Sequence, residues 1–201
     1  MTITYEYQDA LYVNLTNRCS NACTFCVRNE HDDVNGKDNL WLEREPTLEE
    51  IKADFNRRDL TKYRSVVFCG YGEPTMRFHD MIAIARWLKE QQPELPIRLN
   101  TNGHANLICQ RDVTPELKGC IDCVSISLNA ENPEKYQELC LSEFGAERSF
   151  FGLLEFAKLA KEYVPEVVMT VVDVMPQEEI EHCRKIAEDC GVKFRVRTFI
   201  Q

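Results

Sequence analysis

The chain has 201 residues, 28% of them charged, and a formal net charge of -9 at pH 7. About 200 residues bury one substantial core, so a single domain over 1–201 is expected, and the acidic balance argues against general nucleic-acid binding, which clustered lysine and arginine drive. No apolar run approaches the roughly 20 residues that cross a bilayer, and Met1-Thr2-Ile3-Thr4 lacks the basic lead of a secretory signal, so a cytoplasmic protein without a membrane partner is the expectation.

The first expected strand is 10–15, Ala10 to Leu15, and directly after it come Cys19, Cys23 and Cys26, three thiols within eight residues. In a reducing compartment, ten cysteines read as thiols, metal ligands or core residues rather than disulfides. A closed structural metal site takes four ligands, whereas three leave one position open. Closely spaced thiolates of this kind hold iron-sulfur clusters; the alternative is a zinc knuckle that borrows His31 as fourth ligand. A polar excursion over about 28–45, with Asn35-Gly36 and Trp41, is placed to cover the cysteines or to meet a partner. Thr47-Leu48-Glu49-Glu50 is a capping box, and Leu48, Ile51 and Phe55 continue one helical face.

A second strand, 65–69, runs into Gly70-Tyr71-Gly72-Glu73-Pro74, which by itself reads as a tight strand-to-helix turn needing positive φ. Met81, Ile84, Ala85 and Leu88 form the next helical stripe, and the strand 97–100 ends at Asn100, with Thr101-Asn102-Gly103 as a turn and His104 as a surface or packing residue. Thr114-Pro115 and Asn132-Pro133 are helix starts, and a strand over 123–128 ends beside Asn129. Cys120 and Cys123 raise a second cluster, against the simpler reading of core thiols. Phe150, Leu153, Leu154, Ala157 and Ala160 share a helical face before the strand 167–172. Ile180, Cys183, Ala187 and Cys190 do so before Gly191 and the last strand, 193–199. On that strand Arg195 and Arg197 point to one side: inside a barrel one of them binds a carboxylate, outside they are solvated charges. Six strands alternating with helices imply right-handed crossovers, hence an α/β fold, a partial (β/α)6 TIM-like barrel with helices on the outer face of a parallel sheet. The loops after the strands then share one rim.

These motifs resemble the radical S-adenosylmethionine (radical SAM) superfamily, whose CxxxCxxC motif carries an aromatic residue before the last cysteine, here Phe25. The segment Leu11 to Cys19 and the short length are most similar to the compact TatD-associated radical SAM proteins. The resemblance implies one 4Fe-4S cluster on Cys19, Cys23 and Cys26, with S-adenosylmethionine chelating the open iron. It implies reductive cleavage to methionine and a 5'-deoxyadenosyl radical, which takes a hydrogen atom from a substrate that the sequence does not specify. It also implies contacts of Gly70, Tyr71, Gly72 and Glu73 with the methionyl ammonium, of Phe25 and Val171 with adenine, and of Asn100, Ser127 and Asn129 with the ribose. Related activating enzymes often place charged residues at those ribose positions; this chain has uncharged ones. Arg197 is the candidate for a carboxylate of S-adenosylmethionine or substrate, and no catalytic residue beyond the cluster ligands is expected. The partners implied are an electron donor such as flavodoxin or ferredoxin, and a substrate large enough to plug the lower opening, a protein among the options, or else a second subunit or partner protein over that opening. The alternatives are a glycyl-radical-enzyme activating protein and a zinc-binding non-enzymatic module.

Overall fold

The structure is a computed structural model, and it describes residues 1–29 and 37–198. His31, Asn35 and Gly36 lie outside the described residues, so the zinc alternative's fourth ligand and the middle of the excursion do too. Seven strands, β1 (Thr4–Tyr7), β2 (Ala10–Val13), β3 (Ser65–Phe68), β4 (Ile97–Thr101), β5 (Cys123–Ser127), β6 (Glu166–Val172) and β7 (Lys193–Arg197), form one sheet in chain order. β1 is antiparallel to β2, and each later neighbour pair is parallel. Among the described residues no pairing joins β7 back to β1, so the barrel is partial.

The six expected strands are β2 to β7, and β1 is an addition. Only four residues long, it owes its place to a two-residue turn: Gln8 adopts φ 54 and folds β1 back on β2, as hairpin turns with positive φ do. The crossovers carry six helices, α1 (Leu48–Phe55), α2 (Phe78–Gln91), α3 (Ala105–Cys109), α4 (Pro133–Cys140), α5 (Ala146–Ala160) and α6 (Gln177–Cys190). α1 starts at the expected capping box: the Thr47 hydroxyl accepts from Glu50 N at 3.2 Å and the Glu50 carboxylate accepts from Thr47 N at 2.8 Å. Asn132 caps α4 by accepting from Lys135 N at 2.9 Å, and Gly191 closes α6 with φ 69.

The alternation of the strands sorts the sheet's two faces. Leu11, Val13, Val66, Phe68, Leu99, Val124, Ile126, Met169 and Val171 are buried against the helices, in one core with Ile51, Met81, Leu88, Leu153 and Ile180. The intervening residues face the hollow of the sheet and are largely polar: Arg98 and Asn100 on β4, Ser125 and Ser127 on β5, Thr170 on β6, Arg195 and Arg197 on β7. The two β7 arginines are thus on the inner face. Cys120 lies in the helix-side core, its thiol donating to Glu116 O at 3.3 Å, whereas Cys123 begins β5 on the hollow side, so these two thiols do not share a site. A smaller apolar cluster of Tyr5, Leu40 and Tyr71 packs against Tyr7, Tyr12 and Val27.

Candidate functional site

The cysteine loop leaves the carboxyl end of β2. Its middle is pinned to the end of α4, where Ala22 N donates to Cys140 O at 3.0 Å and Thr24 N to Leu139 O at 2.9 Å. Its start is pinned by the returning arm of the excursion: Asn14 Nδ2 donates to Leu40 O at 2.6 Å, and Thr16 Oγ1 to Glu45 Oε1 at 2.6 Å. Beneath it lies a buried polar network. Asn102 Nδ2 donates to Ser20 Oγ at 2.8 Å, and His104 Nδ1 stands 3.3 Å from the same hydroxyl. His104 Nε2 faces Ser149 O at 3.2 Å and the Tyr136 hydroxyl at 3.3 Å, and Tyr136 accepts from Asn21 Nδ2 at 3.0 Å. The Asn102–Gly103–His104 segment, expected to be a turn beside a surface or packing histidine, has that histidine fully buried and is the support of the cysteine loop. Its partners come from Ser20, Tyr136 and Ser149; the only local signal was an Asn-Gly pair at the carboxyl end of a strand.

All three motif thiols are half-buried. Burial pushes the Cys19 pKa up to about 12, burial raises that of Cys26, and a hydrogen bond to the Cys140 thiol followed by burial raises that of Cys23. They are protonated at neutral pH in the metal-free chain, so metal binding must release protons. Among the described residues no three His, Cys, Asp or Glu side chains already surround a common point.

The glycine loop after β3 lies directly against the cysteine loop. A Cβ on Gly72 would stand 2.2 Å from Thr16 O and 2.6 Å from Arg18 O, and one on Gly70 would stand 2.2 Å from Asn14 Oδ1. The expected requirement for positive φ is not what selects these glycines, since neither adopts it; close backbone approach is. Glu73 N donates to Arg18 O at 2.8 Å. The Glu73 carboxylate, 4% exposed, accepts from Thr75 N, Thr75 Oγ1, Thr101 Oγ1 and Asn102 N at 3.1, 2.7, 2.8 and 2.7 Å. It thereby ties the glycine loop to the end of β4. Tyr71 is buried, edge-on to Trp41 with ring centroids 5.2 Å apart, and its carbonyl accepts from Arg28 at 3.2 Å.

The strand ends supply the rest. Asn100 Oδ1 and Asn129 Oδ1 are buried without a hydrogen-bond partner, and Asn129 adopts φ 60 as it leaves β5. Ser127 ends β5 half-exposed on the same inner face. Phe25, Asn129, Leu139, Val172, Val174 and Met175 line a mostly apolar hollow of about 160 Å³. Val171 is not in it. Its side chain is fully buried in the core on the helix side, and because one step along a strand reverses the face, it is Val172 that lines the hollow. Arg197 sits at the carboxyl end of β7 with solvent access, and desolvation by the walls of the hollow lowers its pKa.

The donor set suits a cluster with one open metal: three thiols on one pinned loop, amide oxygens left without donors, and an apolar slot beside Phe25. The comparisons agree. Residues 13–190 match the family described as the Radical SAM superfamily. A protein of Methanocaldococcus jannaschii whose assigned name is glycyl-radical enzyme activating enzyme is 30% identical over 177 residues, 87% of this chain and 67% of that one. Streptococcus suis SuiB, solved bound to S-adenosylmethionine, superposes with a TM-score of 0.62 at 16% identity, over 94% of this chain and 38% of that one. Methylornithine synthase superposes with a TM-score of 0.63 at 17% identity, over 95% and 53%. The chain thus spans well under two thirds of either solved structure, and the likeness to them is one of fold.

Proposed function

The chain belongs to the Radical SAM superfamily, and from that premise we propose that its rim binds one 4Fe-4S cluster and S-adenosylmethionine and acts on a separate substrate. The chemistry supplied when both are bound is one-electron cleavage to methionine and a 5'-deoxyadenosyl radical that abstracts a hydrogen atom. Cys19, Cys23 and Cys26 hold the metal, and their loop's anchors on α4 and the Asn102–His104 network keep them in place. Asn100 Oδ1 and Asn129 Oδ1 accept from ribose hydroxyls, beside Ser127, while Phe25, Leu139 and Val172 enclose the adenine. Gly70, Tyr71 and Gly72 bring main-chain carbonyls to the methionyl ammonium. Glu73 acts by holding that loop, because its carboxylate already accepts four hydrogen bonds. Arg197, at the carboxyl end of β7, is a cation for the amino-acid carboxylate. The observation that carries this reading is the anchored loop that holds Cys19, Cys23 and Cys26 against the glycine loop at the strand ends, beside Asn100 and Asn129, whose amide oxygens are two of five buried ones without a hydrogen-bond partner among the described residues.

The described residues form one sheet, and we read 1–201 as one cytoplasmic domain supplied with electrons by a flavodoxin or ferredoxin; none of the described helices is long and apolar enough to cross a membrane. Anaerobic reconstitution with iron and sulfide, then reduction with S-adenosylmethionine, should give 5'-deoxyadenosine and methionine. Replacing any one of the three cysteines with alanine should abolish both. Zinc recovered in place of iron, with no 5'-deoxyadenosine formed, would sink the proposal. A second reading, activation of a glycyl-radical enzyme, is favoured by the Methanocaldococcus relative. It predicts a glycine-centred radical, seen by electron paramagnetic resonance, on an added partner protein.

A further inference from the structure

The hollow face of the sheet has a second cavity, of about 380 Å³, at the amino-terminal ends of the strands. Arg98, Cys123, Glu166, Lys193 and Arg195 contribute to its wall. Glu166 is the one carboxylate among them, and Lys193 holds it at 2.9 Å. Arg98 and Arg195 have no carboxylate partner among the described residues, although the chain as a whole carries a net charge of -9. Arg98 donates through Nη2 to the Tyr12 hydroxyl at 3.3 Å, but its Nε is buried with no acceptor. A guanidinium without a carboxylate partner in a partly desolvated wall is costly, and an anion that reaches its terminal nitrogens offsets the cost. The guanidinium fork matches carboxylate and phosphate oxygens two at a time. Arg197, two residues above Arg195, is repelled by both Arg195 and Arg98, so the three cations share one field.

We propose that the substrate is a small organic anion whose carboxylate or phosphate group is held between Arg98 and Arg195, with its reacting C–H bond directed up the hollow toward the rim. This rests on the radical SAM reading above. Arg98 lies two residues below Asn100, about 6.6 Å along the strand, so a chain of a few bonds spans the distance from the anion site to the level of the ribose contacts. A neutral main-chain carbonyl could accept a hydrogen bond from either guanidinium, but only an anion also answers their charge.

The test is calorimetric titration of the anaerobically reconstituted protein with inorganic phosphate and, separately, with malonate, at an ionic strength held constant by chloride. Saturable binding of at least one anion is expected, weakened tenfold or more by Arg98→Gln and by Arg195→Gln and unchanged by Arg57→Gln, an exposed residue just past α1 whose partner is Asp54. Tighter phosphate binding identifies a phosphate ester, and tighter malonate binding a carboxylate. The proposal is overturned if neither anion binds above chloride, or if Arg195→Gln, a solvent-accessible change that leaves folding intact, binds as the parent does. Assay of 5'-deoxyadenosine in the same samples separates the two claims. Its formation without anion binding defeats the substrate assignment alone, and anion binding without it defeats the radical SAM reading.

Discussion

At Gly72 a methyl group would meet two backbone carbonyl oxygens, of Thr16 and Arg18, that cannot give way without moving the cysteine loop. Gly72→Ala is therefore expected to cost about 3 kcal/mol, the upper end for overpacking. Gly70→Ala should cost less, since its first obstacle is the Asn14 side-chain amide; urea titration of both variants checks the order, and equal costs would contradict it. His104 carries a pH dependence. Asn102 Nδ2 donates to Ser20 Oγ, which leaves the Ser20 hydroxyl to donate to Nδ1, and Nε2–H then donates to Ser149 O, so the ring is neutral when folded. Burial lowers its pKa from 6.5 to about 4. With the folded value depressed, the unfolded chain binds more protons in between, so stability is full above about 6.5 and falls as pH drops toward 4, by up to about 3 kcal/mol. His104→Gln should lose that acid-sensitive component in stability measured across this range; an unchanged slope would show that another group is responsible. Neither residue's role could be read locally, because the obstacles to Gly72 and the partners of His104 belong to distant segments.

Among the elements, most of those whose signal is local agree with expectation, although Thr114-Pro115, expected to cap and start a helix, opens only a 3-10 turn, Thr114–Leu117, without a side-chain cap. The α1 capping box, the Asn132 cap of α4 and the six parallel strands depend on residues a few positions apart. β1 was not foreseen because a four-residue strand has little periodicity of its own and is held by pairing with β2. Of the two readings open for Val171, adenine contact or core packing, the structure has it in the core while Val172 lines the slot, and the difference is testable. Val171→Ala should lower stability by about 2 kcal/mol, the value of two methylene-sized groups lost from a core, with S-adenosylmethionine affinity unchanged. Val172→Ala should cost less stability and weaken that affinity severalfold. Equilibrium dialysis with S-adenosylmethionine and thermal melts of the two variants separate these outcomes, and the reverse pattern would restore Val171 to the site.

For the whole molecule, among the described residues β1 and β7 are paired on one side only, while β4 and β5 sit between neighbours on both. Backbone amides of β4 and β5 are expected to exchange with deuterium last and those of β1 and β7 first, as local opening at edges requires; equal protection in β7 would point to a further partner along that edge. The open side also exposes the arginine-lined hollow, which spacing on β7 left undecided between inside and outside. The sequence alone determined the order of the six parallel strands, the three-thiol motif and the convergence of strand-end loops on a rim, because periodicity, caps and chirality act over short stretches of chain. Only the tertiary structure decided which side each strand residue faces, why Gly70 and Gly72 lack side chains, that Glu73 is occupied internally and that Arg98 stands unanswered, because each depends on atoms brought close from far along the chain.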